Sequence, residues 1–272
     1  MPATAYLMGH TDHERRRLSL QASVLNPFTR GFLQRAGVSA GMHVLDIGCG
    51  VGEVSFIAAA LVGPHGHVTC IDIDDGALAI ARARAHENAI DNVTFEHRGV
   101  LEHRLERSYD AVIGRHILIH APDALAMVRH AVSLVHAGGI VAMQEYDLSR
   151  CIPPWPAVPL MERVQQVYVA LFSRATPHAD IGIRLFHLMQ EAGLPVPEVR
   201  GEFVIDGGPD SPMYEWIAET IRSLLPRIEA LGIATAAELD VESLAARLRE
   251  ETIAARAGIV GPTMIGAFAR KQ

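Results

Sequence analysis

The feature that most constrains this chain is a run of nine residues, Val44-Leu45-Asp46-Ile47-Gly48-Cys49-Gly50-Val51-Gly52. An apolar strand here runs into three glycines at alternate positions, and a helical pattern follows. Glycine reaches backbone conformations closed to other residues and lets a ligand approach the main chain closely. The carboxyl end of a strand is also where doubly wound sheets bind their cofactors. Spacing alone leaves open a tight strand-helix turn with no ligand.

Charge separates the ligands such a turn could hold. A dinucleotide pyrophosphate needs a helix N-terminus free of nearby anions. Here Asp46 sits two residues before the first glycine and Glu53 follows the last. Two carboxylates in those places repel a pyrophosphate. They suit a ligand that carries an ammonium and a sulfonium, as S-adenosylmethionine (SAM) does. A third acid, Asp72, ends the apolar run Val68-Thr69-Cys70-Ile71 about 20 residues on, where it can accept both ribose hydroxyls of an adenosine. Asp72 could instead cap the next helix, but Asp74 is available for that task.

The wider pattern is a doubly wound α/β fold. Strands are expected at residues 43–47, 67–71, 93–97, 111–114 and 140–144, with helices at 51–61, 75–88 and 124–135. Such alternation implies a parallel sheet covered on both faces. Residues 198–205 and 264–270 supply a sixth strand and a closing edge strand, for seven in all. Before the first strand, Thr11 and Glu14 form a capping-box pattern, Pro27 is expected to break the helix they open, and a second helix spans 28–36. After Tyr146 come a proline-rich connection at 151–159, helices at 160–174 and 183–192, and a mostly helical stretch at 212–258. The expected division is an N-terminal helical lid (1–37), a ligand-binding core (38–147), and a C-terminal part of the sheet carrying a helical lid (148–272).

Composition removes several classes. The chain has 272 residues, enough for one large core with a lid, and a formal net charge of −7, which makes nucleic acid a poor partner. The only lysine is Lys271, so no interior lysine can form a Schiff base or serve a Walker loop or a kinase site. The three cysteines, Cys49, Cys70 and Cys151, have no metal-knuckle spacing, and an odd count suits a reducing compartment. No apolar run reaches the about 18 residues of a membrane span, and no signal-peptide pattern opens the chain. The expectation is a cytoplasmic protein with no membrane, nucleic-acid or metal partner, and a homodimer as its possible assembly.

Taken in order, Asp46 to Gly52, Asp72, Gly99 to Leu101, Gly114-Arg115-His116 and Gly138-Gly139 resemble the class I SAM-dependent methyltransferases. Within that class the chain resembles the ubiquinone/menaquinone-biosynthesis-type group, which includes bacterial natural-product enzymes. The resemblance is strongest over 41–147. It implies a Rossmann-like seven-stranded sheet, SAM as cofactor and S-adenosylhomocysteine (SAH) as product. It places Asp46, Gly48, Cys49 and Gly50 along the methionine and ribose part, and Asp72 and Ile73 at ribose and adenine. It sets Val100 and Leu101 at the adenine edge, Arg115 and His116 near the methionine tail, and Tyr6 and Gln21 in a cofactor lid. One departure stands out: Val100 occupies a position that is usually Asp in the family, and valine cannot accept the adenine amino hydrogen.

Methyl transfer from such a donor needs mainly alignment and the exclusion of water. A base is required only if the acceptor must lose a proton. The candidates are Glu145, after the fifth strand, and His120. His116 and His120 are spaced to share a helical face. Asp147 is a further acid at this end, and solvated loop acids are the plain alternative for both carboxylates. Tyr146, Trp155, Tyr168, Phe172, Phe186, Tyr214 and Trp216 would furnish a pocket for a small aromatic or natural-product acceptor, with C- or N-methylation favoured. Taken singly, each of them reads better as ordinary core of a helical subdomain. The rivals are an NAD(P)-linked oxidoreductase, a nucleic-acid or protein methyltransferase, and a non-catalytic SAM-binding module. The first would space its glycines G-x-G-x-x-G. The second would carry Asn-Pro-Pro-aromatic where Gly114-Arg115-His116-Ile117 stands.

Overall fold

The structure, a computed structural model, describes residues 12–104 and 108–272. Its first half runs α1 (Asp12–Ala36), β1 (His43–Ile47), α2 (Glu53–Val62), β2 (His67–Asp72), α3 (Asp75–Glu87), β3 (Val93–His97), β4 (Tyr109–Arg115), α4 (Ala124–Leu134) and β5 (Val135–Asp147). The second half runs α5 (Pro159–Ala175), α6 (Ile181–Glu191), β6 (Glu198–Glu202), β7 (Ile205–Asp206), α7 (Met213–Ala230), α8 (Ala236–Leu239), α9 (Leu244–Ala255), β8 (Ile259–Val260) and β9 (Thr263–Arg270). The chain divides into two compact units. Of the described residues, a sheet unit holds Asn26–Tyr146, Asp180–Glu202 and Met264–Gln272; a helical unit holds 12–25, Asp147–Ala179 and Phe203–Thr263.

The sheet unit is built on seven strands in the order β3-β2-β1-β4-β5-β9-β6. β1 pairs in parallel with β2 and β4, β2 with β3, and β4 with β5, while β6 and β9 are antiparallel. Val44, Leu45 and Ile47 of β1 are fully buried, as a central strand covered on both faces requires. Ile57, Ala58 and Val62 of α2 pack into the same core with Val68, Ile113 and Ile140. Asp46 interrupts the apolar run of β1 and is just as buried, at 1% exposure. The single lysine ties down the far end: Lys271 Nζ donates to the carbonyls of Val132 and Val135, where α4 ends and has carbonyls to satisfy.

Three expectations are corrected here. Pro27 does not break the first helix; α1 runs through it. Proline removes the N–H that would reach the Ser23 carbonyl, but Ser23 and Pro27 are both exposed, so water can take that carbonyl. The cost of about 3 kcal/mol is met by the buried side chains Val24, Leu25, Phe32 and Leu33, at about 1.5–3 kcal/mol each. β9 is not an edge strand: it lies between β5 and β6, and β6 takes the edge. The stretch 198–205 is not one strand. It ends at Glu202, and Ile205–Asp206 pairs with β8 in a separate two-stranded sheet.

In the helical unit, α7 packs on α5 and α9 around Leu171, Tyr214, Ile221, Leu244 and Leu248, all fully buried. Among the described residues, no helix is long and apolar enough to cross a membrane.

Candidate active site

The glycine run turns as its composition demands. Gly48, Gly50 and Gly52 have φ of 69°, 53° and 88°, in the left-handed region that disfavours every residue with a Cβ. The turn is pinned to the end of β2, because the N–H groups of Gly48 and Cys49 both donate to the Ile71 carbonyl, at 2.9 and 3.1 Å. At Gly48 a Cβ would lie 2.5 Å from Ile117 Cδ1; at Gly50 it would meet nothing within 4 Å. The middle glycine therefore faces open space.

Two acids stand beside this space. Asp72 accepts the Gly50 N–H through Oδ2 at 2.8 Å and the Asp74 N–H through Oδ1 at 2.9 Å. Asp74 caps α3 by accepting from the Ala77 N–H, so Asp72 is not the helix cap. Asp46 lies beneath the turn, where Ser55 Oγ donates to it at 2.6 Å. Burial pushes its carboxyl up to about 7, and the Asp72 charge adds to this; the Ser55 hydrogen bond and the Arg115 charge oppose it.

Glu53 behaves differently from its sequence reading. It was expected to leave a bare negative charge on the turn. Arg84 of α3 donates to it at 2.6 Å and to the Val51 carbonyl at 2.7 Å, with its guanidinium over the Phe56 ring. The charge is compensated, and Asp46 and Asp72 remain as the acids of the turn. Asn26 of α1 also donates to Glu53, at 2.9 Å. Arg115, at the end of β4, donates to Asn26 Oδ1 and Thr29 Oγ1, and Thr29 in turn donates to Gln144 of β5 at 2.7 Å. One continuous polar chain thus joins α1, α2, α3, β4 and β5. Burial lowers the Arg115 pKa, while nearby Tyr146, Glu53 and Asp46 raise it.

After β4 the backbone turns sharply at His116, which has φ of 57°. Its ring stacks on Tyr146, centroids 4.0 Å apart and planes 19° apart, and its Nε2 lies 3.2 Å from Met264 Sδ. Glu145 is fully buried, and its Oε1 accepts the N–H groups of Ile117 at 2.9 Å and Leu118 at 2.7 Å. Burial pushes this carboxyl up to about 8, against the hydrogen bonds from Leu118, Ile117 and Ile119.

Residues 38–193, more than half of the chain, match the Methyltransferase domain family. The chain belongs to that family. Among curated relatives of this methyltransferase-domain chain, demethylmenaquinone methyltransferase of Lactococcus lactis is 28% identical over 137 residues, covering 50% of this chain and 52% of that protein. Aklanonic acid methyltransferase of a Streptomyces species is 36% identical over 126 residues, covering 44% and 56%. The chain spans about half the length of the curated relatives it matches. A solved Haemonchus contortus phosphoethanolamine N-methyltransferase, bound to phosphomonomethylethanolamine and S-adenosylhomocysteine, shares the fold: TM-score 0.54, 20% identity, 90% of this chain and 52% of that one.

The structure brings most of the expected residues of this methyltransferase-domain chain to the carboxyl edge of one sheet. Asp46, Gly48, Cys49, Gly50, Asp72, Arg115 and His116 lie in or beside the turns after β1, β2 and β4. Ile73 and Leu101 expose large apolar side chains, whereas Val100 is buried. Tyr6 lies outside the described residues. Gln21 belongs to the helical unit, where it accepts from Arg17 at 2.7 Å.

Three site readings change. His116 and His120 do not share a helical turn: only Leu118–His120 form a short 3-10 turn, and His116 precedes it in the left-handed conformation. His120 is mostly buried, which lowers its pKa and favours the neutral ring. Glu145 and Asp147 are not solvated loop acids, since Asp147 is 5% exposed and accepts from Ser149. The seven aromatic residues are divided between the two units. Tyr146 and Phe186 belong to the sheet unit and the other five to the helical unit. Trp155 is 86% exposed, and Tyr214 and Trp216 are core. Among the described residues, no group of three or more His, Cys, Asp or Glu is placed to hold a metal ion.

Sequence reasoning missed Asn26, Thr29, Arg84 and Gln144. Gln144 carried a signal, as a polar side chain closing the apolar run Ile140–Met143. Arg84 carried none, because α3 holds a second arginine, Arg82, two residues before it. Replacing Arg84 by Met is expected to cost about 1–3 kcal/mol, between the ranges for exposed and buried pairs. Glu53→Gln added to Arg84→Met should recover part of the loss, read as coupling in urea unfolding. Strict additivity would show that the pair does not interact.

Proposed function

We propose that this chain transfers a methyl group from SAM to a small-molecule acceptor bearing an aromatic or quinone-like ring, releasing SAH, with transfer to carbon or nitrogen favoured. The observation that carries the proposal is the open face of Gly50 beside the Asp72 carboxylate, on a turn of three left-handed glycines. A glycine cradle beside two acids, with Arg84 occupied by Glu53 and Arg115 by Asn26 and Thr29, fits a nucleoside with a positive tail. It does not fit a pyrophosphate. Family membership supports methyl transfer, and the names of the two curated relatives, a demethylmenaquinone and an aklanonic acid methyltransferase, support a small-molecule acceptor.

When bound, SAM supplies a methyl carbon already activated by a positive sulfur. The acceptor atom forms the new bond to that carbon as the carbon–sulfur bond breaks, and the electron pair stays on sulfur. The residues of the chain bind and align. Asp72 is proposed to exchange its Gly50 contact for ribose hydroxyls, with Ile73, Val100 and Leu101 along the adenine. Asp46, the backbone of Gly48, Cys49 and Gly50, and Arg115 with the His116 backbone would take the methionine part. Gln21 and Tyr6 are the proposed lid contacts. His120, with its ring kept neutral, is the candidate to accept an acceptor proton. The helical unit is proposed to carry acceptor selectivity, which exchange of residues 147–179 and 203–263 with those of a relative would transfer.

Titration calorimetry of the purified protein with SAM, SAH and NAD tests this reading. Binding of SAM and SAH but not NAD is expected; NAD binding without SAH binding would overturn it. Asp46 adds a pH signature. A carboxyl raised to about 7 is partly protonated at neutral pH. A cationic ligand nearby favours its ionised form, so binding should release a proton and tighten about tenfold per pH unit between 5 and 7. The gain should level off above about pH 7, where Asp46 is already ionised in the free protein. The same shift makes Asp46 a liability to the empty fold: its contribution to stability is greatest below pH 4 and declines as pH rises through 7. SAH affinity that does not change between pH 5 and 7 would remove Asp46 from the site.

A further inference from the structure

We infer that Glu145 is a positioning residue, which fixes the left-handed backbone at His116 and so holds the His116–Tyr146 stack as the platform on which a flat, electron-rich ring of the acceptor lies. The inference rests on the proposed methyl transfer and deepens it, by naming what recognises the acceptor.

Four observations converge on this short segment. A residue with a Cβ is held at φ 57°, a strained conformation that persists only where its surroundings over-determine it. The surroundings do so here. The His116 N–H bonds the Gln144 carbonyl at 3.0 Å, and the next two N–H groups both point at Glu145 Oε1. The geometry so fixed lays the imidazole on the Tyr146 ring at stacking distance, with Met264 sulfur at its edge. Both rings are half-buried, and they stand at the carboxyl ends of neighbouring strands, where this fold exposes its chemistry. A third flat ring placed offset on such a pair continues the stack.

Glu145 is poorly placed to be the base expected from sequence. Its side chain is wholly buried, one oxygen is spent on two backbone donors, and burial favours the neutral acid. A neutral acid that accepts hydrogen bonds is mimicked by glutamine, whereas a base is not. This contrast supplies the test.

The probe is 1,4-dihydroxynaphthalene, titrated by calorimetry into the SAH-saturated protein. Wild type is expected to bind it. Glu145→Gln should stay within threefold of wild type, while Glu145→Ala should lose at least tenfold, about 1.4 kcal/mol. Should Glu145→Ala fail to fold, His116→Gly keeps the question open to test: glycine takes the left-handed conformation without strain, and only the ring is lost. With SAH supplied at a concentration that saturates it, this variant should lose at least tenfold in probe affinity. Probe affinity unchanged in His116→Gly, no probe binding to wild type, or Glu145→Gln as impaired as Glu145→Ala would each overturn the inference. Failure of the methyl-transfer reading is distinct, since wild type would then not bind SAH.

Discussion

Asp72→Ala lowers the affinity for SAH by about 100-fold or more, with the fold intact. The expectation follows from the two hydrogen bonds that this carboxylate makes in the structure, to the Gly50 and Asp74 N–H groups. A carboxylate at the end of β2 that can release one of them to a ribose offers charge-assisted bonds worth about 1.5–3 kcal/mol each, and two are lost together. Alanine also leaves the Gly50 N–H without its acceptor, so the turn loses the contact that orders it. Calorimetry with SAH, alongside a thermal melt, separates the two effects. Wild-type SAH affinity in the variant would show that Asp72 serves only the backbone.

Gly48→Val is expected to be the more damaging change to the fold. Valine at φ 69° is strained by about 1–3 kcal/mol, and its Cβ would lie 2.5, 2.9 and 3.2 Å from Cδ1, Cγ1 and Cβ of Ile117. The last of these atoms cannot swing away, because Glu145 fixes the Ile117 backbone. A total of about 3–5 kcal/mol is reasonable for strain plus overpacking, which for a chain of this size lowers the melting temperature by roughly 8–15 °C. Scanning calorimetry gives the shift directly. A variant that melts within 2–3 °C of wild type would mean that the turn is far more plastic than its contacts indicate. The same substitution at Gly50 would meet no neighbour, so its melting shift should be smaller while donor affinity falls.

The elements that carry the turn were legible because their patterns are local. β1 and β3 were read at their observed limits and β2 one residue short, since each is a buried apolar run bounded by turn residues. α1 was misread because the cost of Pro27 is a local fact, while the burial that outweighs it depends on residues far along the chain. β5 was expected to begin at Ile140 and begins at Val135. The pair Gly138-Gly139 lies in the irregularity between the pairings of Tyr109 with Val135 and Ala111 with Ile140. Which strand becomes the edge is set by pairing across the sheet, so nothing in residues 264–270 revealed that β9 is interior. The site followed the same rule. Glycines and acids in one contiguous run were found, but the pairing of Glu53 with Arg84 and the burial of Glu145 join segments about 30 residues apart. No spacing rule reaches that far.

Cys49 sits inside the glycine turn, at 8% exposure, with its thiol pKa driven upward by burial and by the Asp46 charge beside it. Sulfur attacks carbon as thiolate, hardly at all as thiol. On the proposed placement of the donor, the carboxylate that helps to hold a methylating reagent also disarms the nearest soft nucleophile. The protein is thereby spared alkylating itself at every idle encounter with its own substrate.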